Sequence, residues 1–268
     1  MKTVKLAGLA LTLPLLLVAC PGPTPPPVVT SNKVSGTLFS LADTAPQLVA
    51  WQGGVGTIKA FGGGPDRAGS SNAVSLGEGA VAADGSFTLE LADVPAEILM
   101  PSNGDGLNMV VGQTECTGNV QVSNQAARIA PIGFEVSGST ENGVVLPTKI
   151  EPPRIEDSRV SVNAKTGVFI YSDSATTITG EQVCPSLDLG GNFTVKTNIK
   201  LVKGYNKLTI DYTLSILSVA GVVSGSDTVL SLTNGEFPAQ WASASALEAA
   251  LSQAIGPLLP SALHTPVN

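Results

Sequence analysis

The stretch NFTVKTNIKLVKGYNKLTIDYTLSIL, residues 192–217, decides the fold class. Apolar residues alternate with Thr, Lys, Asn and Ser on both sides of a central KGYN segment at residues 203–206. A period of two is typical of strands that bury one side and solvate the other. Gly beside Asn is typical of a turn. The stretch therefore predicts a long antiparallel hairpin in a mainly β protein.

Shorter segments of the same kind lie on either side of this hairpin. They are residues 107–111, 119–122, 132–136, 159–163, 167–171, 175–183, 221–223 and 228–232. The turn-rich stretches SNGDG (102–106) and EPP (151–153) interrupt them. We place a domain boundary near Asn103, which predicts two antiparallel β-sandwich-like domains at residues 33–103 and 104–235.

The first of these domains carries a recognisable order of motifs. KVSGTLFSL (33–41) and GTIKAF (56–61) are predicted strands, and VAADGSFTLEL (81–91) is a predicted hairpin with Asp84-Gly85 at its turn. This order resembles the carboxypeptidase-regulatory-like, transthyretin-like family of β-sandwiches. The resemblance implies a non-catalytic module. The Gly-rich residues 62–79 depart from the family pattern as a long insertion.

A single helix is predicted near the C-terminus, within residues 236–268. Pro238 suits the first helical position. Apolar residues then recur every three or four positions, at Trp241, Ala244, Leu247, Leu251, Ile255 and Leu258. We expect this stripe to pack on a sheet. A membrane-surface helix is the alternative, but the polar side carries one charge, Glu248, and no lysine.

The N-terminus has the pattern of an export signal. Lys2 and Lys5 precede an apolar run of 14 residues, 6–19, which is shorter than the roughly 20 residues that span a bilayer. The run ends LVAC (17–20), which resembles the bacterial lipobox. The resemblance implies removal of a signal peptide, 1–19, and attachment of diacylglycerol to Cys20. An ordinary cleaved signal peptide with a chance cysteine is the alternative.

A proline-rich segment follows Cys20. Residues 20–32 read CPGPTPPPVVTSN, with five prolines. Polyproline II geometry would make this a semi-rigid tether of roughly 40 Å. A disordered tail without a spacing role is the alternative.

Two cysteines remain if Cys20 is lipidated. An even number in an exported protein predicts a disulfide between Cys116 and Cys184. Two buried free thiols are the alternative.

The residues for chemistry are few. The single histidine, His264, lies near the end of the chain, and no G-x-S-x-G is served by a base. The glycines at 62–64 lack a phosphate-loop lysine, and NGDGLN (103–108) is ordinary turn chemistry instead of a calcium loop. We read Glu156 and Asp157, beside Arg154 and Arg159, as a solvated charge cluster. We therefore predict no catalytic residues, no metal, no cofactor and no enzyme activity.

The net charge and the aromatic residues limit the classes of binding partner. The formal net charge is −7, which argues against nucleic acid. Aromatic residues that could contribute to a binding surface are Trp51, Phe61, Tyr171, Tyr205 and Trp241. We expect Tyr205, in the predicted hairpin turn, to be exposed.

Together these features lead to two functional expectations. The first is a lipid-anchored, extracytoplasmic protein of the cell envelope with a structural, adhesive or presenting role. The alternative is a binding lipoprotein that holds a small apolar or carbohydrate ligand between a sheet and the C-terminal helix. In both, the lipid on Cys20 contacts the membrane. Pro21 is not the aspartate linked with inner-membrane retention, which favours the outer membrane or cell surface. The sequence identifies neither the ligand-binding residues nor a protein partner.

Overall fold

The computed structural model describes residues 32–42, 47–63, 73–102, 116–156, 159–186, 191–219 and 222–255. In this part of the chain the protein is mainly β, with sixteen strands and one α-helix. The strands are β1 (Lys33–Leu41), β2 (Leu48–Ala50), β3 (Gly56–Gly62), β4 (Val74–Val81), β5 (Ser86–Glu90), β6 (Met100–Pro101), β7 (Thr117–Val122), β8 (Arg128–Gly138), β9 (Asn142–Ile150), β10 (Arg154–Glu156), β11 (Arg159–Ser172), β12 (Thr176–Ser186), β13 (Gly191–Leu201), β14 (Gly204–Val219), β15 (Val222–Thr233) and β16 (Gln240–Ser243). The helix α1 spans Ala244–Ile255, and a 3-10 turn covers Ala96–Ile98.

Seven strands close on themselves around a first hydrophobic core. Their order is β8-β3-β4-β5-β1-β16-β9, and β9 pairs again with β8. Neighbours are antiparallel except for β1 and β16, which are parallel. Leu38, Ile58, Leu76, Phe134 and Trp241 are among the buried side chains in the middle. Phe169 of β11 and Tyr205 of β14 belong to the same core.

Six further strands extend the sheet beyond β9, and the short strands β2, β6 and β10 pair with β1, β8 and β11. The order of the six is β11-β14-β15-β13-β12-β7, and β13 and β15 run parallel. Side chains such as Ile178, Ile199 and Leu208 form a second core on one face. The result is a large mixed sheet with two cores, a sandwich-like β fold with one helix. The expected fold class is confirmed.

Strand pairing joins the two predicted domains. β3 pairs with β8 along its whole length, from Gly56 opposite Gly138 to Gly62 opposite Ile132. These two strands lie on opposite sides of Asn103, where we placed the boundary. The division of the chain into two domains stays a prediction.

The prediction that the two strands within residues 192–217 pair as one hairpin is wrong. Both strands exist, as β13 and β14, but β15 lies between them, antiparallel to β14 and parallel to β13. The Asn206 side chain closes the bend by accepting from Val202 N at 2.9 Å and donating to Val202 O at 2.9 Å. After the bend, β13 and β14 are separated by the width of one strand, and β15 occupies that position.

Several predicted segments are parts of longer strands. Residues 159–163 and 167–171 are both in β11, and residues 221–223 and 228–232 fall largely within β15. β4 begins at Val74, inside the Gly-rich stretch that we expected to be an insertion, and ends at Val81, where the predicted hairpin begins. The predicted strand at 107–111 lies outside the described residues, whereas β2, β6, β9, β10 and β16 were not predicted.

The C-terminal helix begins later in the chain than predicted. Pro238 and Trp241 do not belong to it, because β16 occupies Gln240–Ser243 and is held between β1 and β9. The helix begins at Ala244, where Ser243 Oγ accepts from Ala246 N at 3.0 Å and caps the first turn. It packs on β9, β1, β16 and β11. Ala246 and Ala250 are its buried side chains, and the side chains from Leu251 onward lie outside the description.

The Asp84-Gly85 turn between β4 and β5 is confirmed. Gly85 has a φ of 81°, which glycine adopts without strain. Asp84 Oδ1 accepts from Ser86 N at 3.0 Å and Ser86 Oγ at 2.7 Å. These hydrogen bonds lower the pKa of Asp84.

Gly36 in β1 leaves room for the Trp241 ring, which a Cβ there would overlap.

Candidate functional site

The predicted disulfide is present. Cys116 immediately precedes β7, and Cys184 lies in β12, with an S–S distance of 2.05 Å. β7 and β12 are antiparallel, with Thr117 opposite Val183, so the two cysteines are neighbours across the strands. Cys184 is fully buried in the second core. The alternative of two free thiols is wrong, whereas Cys20, the tether up to Ser31, NGDGLN and His264 lie outside the described residues.

An open cleft of about 420 Å³ lies where α1 begins. It is bordered by the end of β1, the loop after β2, the β8–β9 turn and the first turns of the helix. Its lining residues are Leu41, Trp51, Val136, Thr140, Glu141, Asn142, Ser243, Ser245, Ala246 and Ala249. Within the described structure, this cleft lies where a ligand site between sheet and helix was expected.

A carboxylate and a hydroxyl meet beside this cleft. Ser40 Oγ donates to Glu141 Oε1 at 2.5 Å and accepts from Gln52 N at 2.9 Å. Ser40 is 2% exposed. The three residues come from β1, the β8–β9 turn and the loop after β2. The contact therefore fixes three segments of chain to one another.

Backbone carbonyls of the loop after β2 hold the β8–β9 turn in place. Gly53 O accepts from Ser139 N at 2.8 Å and Ser139 Oγ at 2.9 Å. Thr140 Oγ1 donates to Gln52 O at 2.8 Å. Trp51 Nε1 donates to Gly54 O at 2.7 Å and closes the loop on itself. This end of the molecule is therefore a set of cross-linked turns.

The polar groups beside this cleft differ in how accessible they are. Within the described ranges Ser40 has a carboxylate partner and no imidazole to take its proton, and its burial keeps the hydroxyl from a substrate. Glu141 and the hydroxyls of Ser243 and Ser245 can exchange hydrogen bonds with a polar ligand. Among the described residues no three His, Cys, Asp or Glu side chains are close enough to hold a metal ion.

Most of the aromatic residues expected at a binding surface are buried instead. Phe61, Tyr205 and Trp241 are buried, Tyr171 is half-buried, and Trp51, although 7% exposed, borders the cleft. Trp241 stacks edge-on against Phe87 and Phe134, with ring centroids 5.1 Å apart in each pair. Tyr205 is buried, so the prediction that it is exposed is wrong. Its hydroxyl donates to Ala92 O at 2.5 Å, and burial raises its pKa. The predicted turn at 203–206 brings Tyr205 into β14, beside Tyr171.

Two ion pairs join neighbouring strands in the part of the sheet beyond β9. Lys165 Nζ lies 3.3 Å from Asp211 Oδ1, and Lys196 Nζ lies 3.9 Å from Glu181 Oε2. Arg154, Glu156 and Arg159 are exposed, and Arg154 contacts Glu151 at 3.6 Å. As expected, this group is a solvated charge cluster; Asp157 lies outside the described residues.

Comparison of the chain with protein-family models, curated proteins and solved structures finds no match in any of the three. The cleft and its hydrogen bonds were not found by sequence reasoning. Glu141 and Ser40 are 101 residues apart, and neither belongs to a motif. The Thr140-Glu141-Asn142-Gly143 run signals a turn, but no sequence feature shows which hydroxyl the carboxylate meets.

Proposed function

We propose that the protein is a lipid-anchored component of the cell envelope with a non-enzymatic structural, adhesive or presenting role. The observation that carries the proposal is that two of the three cysteines form a disulfide and the third follows the apolar N-terminal run. Cys116 and Cys184 are joined in the folded body, which fits an oxidising compartment. That leaves Cys20, the residue that ends the apolar N-terminal run.

The position of β1 fits a tethered body. The first described strand begins at Lys33, directly after the proline-rich segment. The pairing of β1 with β5 and β16 then commits the chain to the closed set of strands. Residues 20–32 would therefore link the lipid to the body directly. The described part of the chain contains no helix long and apolar enough to cross a bilayer.

Detergent partitioning tests this proposal. The wild-type chain is expected in the detergent phase, and Cys20→Ala in the aqueous phase or stalled as a precursor. Cys116→Ala together with Cys184→Ala is the matched control, because it removes both other cysteines and their disulfide but leaves the lipobox intact. Equal partitioning of wild type and Cys20→Ala into detergent contradicts the proposal. We place the protein at the outer membrane or cell surface, on the ground that Pro21 follows the cysteine.

A second candidate function is a binding lipoprotein. The cleft between the β8–β9 turn and α1 favours it, because Glu141 and two serine hydroxyls border it. These groups suit a hydroxyl-rich ligand such as a carbohydrate better than an apolar one. Native mass spectrometry of the purified protein is expected to show bound ligand that Glu141→Gln weakens. A ligand-free protein that binds no sugar contradicts this candidate and favours the structural role.

A further inference from the structure

Two Asn-Gly pairs lie in the described part of the chain, at Asn142-Gly143 and Asn234-Gly235. In such a pair the glycine nitrogen can reach the asparagine side-chain carbonyl, because glycine has no side chain to obstruct it. Whether the attack occurs depends on how firmly both groups are held. The two pairs differ in this respect.

Asn142 is exposed at the start of β9, after the β8–β9 turn. Within the described residues its side chain makes no hydrogen bond. Gly143 has a φ of 132°, and the position of a Cβ on it would meet no atom within 4 Å. The Asn142 amide is therefore free to turn, and the pairing of Gly143 with Val136, near the turn of the β8–β9 hairpin, is the restraint that the attack must overcome.

Both the oxygen and the nitrogen of the Asn234 side-chain amide are hydrogen-bonded. Its Oδ1 accepts from Lys200 N at 2.6 Å, and its Nδ2 donates to Lys200 O at 3.1 Å. The next nitrogen, Gly235 N, donates to Thr233 Oγ1 at 3.2 Å. Three hydrogen bonds must break before the ring can close. Asn234 therefore serves as an internal control with the same dipeptide.

We propose that Asn142 is a site of spontaneous deamidation. The Gly143 nitrogen attacks Asn142 Cγ, a C–N bond forms, and the side-chain nitrogen leaves as ammonia with the proton from Gly143. Water then opens the cyclic imide at one of its two carbonyls and gives aspartate or isoaspartate. The net reaction consumes one water and releases one ammonia, and no other reactant is needed.

The modification would change the cleft described above. Asn142 lines it next to Glu141, so the product places a second carboxylate there. Isoaspartate also inserts one extra backbone carbon at the start of β9. Because Ser137 faces Asn142 and Val136 faces Gly143, that insertion disturbs the register of the β8–β9 hairpin. The proposal does not depend on lipidation or ligand binding.

Peptide mapping of the aged full-length protein tests the proposal. Trypsin releases residues 129–149, in which Asn142 is the one asparagine. After incubation in mildly alkaline buffer, this peptide is expected to gain one dalton at least about tenfold faster than the peptide carrying Asn234, given three hydrogen bonds to break at the latter. Asn142→Gln should abolish the gain in this peptide, and Asn234→Gln should leave it unchanged.

The same measurement in concentrated urea separates structure from sequence. With the fold removed, both asparagines are expected to convert at similar rates. Equal rates in the native protein overturn the proposal. A preference for Asn142 that persists unchanged in urea also overturns it, because the neighbouring sequence and not the fold would then set the rates.

Discussion

Replacing Trp241 by alanine should be one of the most damaging single changes in the described part of the protein. The indole is 2% exposed and contacts Phe87, Phe134 and Phe169 from within the first core. Its strand, β16, is paired on both sides. Truncation removes a large buried side chain and leaves a cavity that paired strands cannot collapse into.

The expected loss is about 3–5 kcal/mol of unfolding free energy, typical of a buried Trp→Ala change. In a body of this size it lowers the Tm by roughly 10 °C. Urea and thermal unfolding followed by circular dichroism measure both quantities, with the disulfide intact. Leu247→Ala is the matched control: Leu247 is half-buried on α1, so truncating it should cost clearly less.

The comparison also distinguishes the two assignments of this segment. On one continuous helical stripe, Trp241 and Leu247 would face the same surface, and their truncations would cost similar amounts. In the structure Trp241 is a strand residue in the first core, whereas Leu247 lies on a helix outside it. Equal losses for Trp241→Ala and Leu247→Ala would refute the assignment of β16.

Three further predictions follow from individual contacts. Removing the disulfide with Cys116→Ser and Cys184→Ser together should cost about 2–5 kcal/mol, and non-reducing mass spectrometry of the wild type should show two hydrogens fewer than the dithiol. Ser243→Ala should cost about 1 kcal/mol through the lost helix cap, measured by urea unfolding, whereas Ser245→Ala, which removes an exposed neighbouring hydroxyl, should cost less. Burial raises the pKa of Tyr205 above its unfolded value of 10.0. The stability that the protonated Tyr205 contributes is therefore complete below pH 10.0 and declines as the pH rises above it. Tyr205→Phe should flatten the alkaline side of a curve of unfolding free energy against pH, and an unchanged slope would contradict the role of Tyr205.

Local sequence pattern predicted the strands because alternation along one strand needs no knowledge of its neighbours. β1 matches its predicted bounds, and the turn at Gly85 was predicted from the dipeptide alone. Pairing was not predictable in this way. Adjacent strands in sequence usually pair, but here β15 pairs with both β13 and β14 and separates them, which no pattern within either strand indicates.

The helix start shows why element boundaries are harder to predict. Trp241 and Ala244 fit a helical spacing, but a strand places Trp241 equally well, and tertiary packing against Phe87 and Phe134 decides between them. β9 was missed because its buried residues do not alternate cleanly, with Pro147 and Thr148 both buried. The cleft was missed because it joins turns that are distant in sequence.

The mass of the mature N-terminal peptide tests the central claim most directly. Mass spectrometry of the membrane-extracted protein, after proteolysis, is expected to find a peptide that begins at Cys20 and carries a diacylglyceryl group on its thiol. A mature chain that begins elsewhere, or that begins at Cys20 with an unmodified thiol, would contradict the account of a lipid-anchored envelope protein.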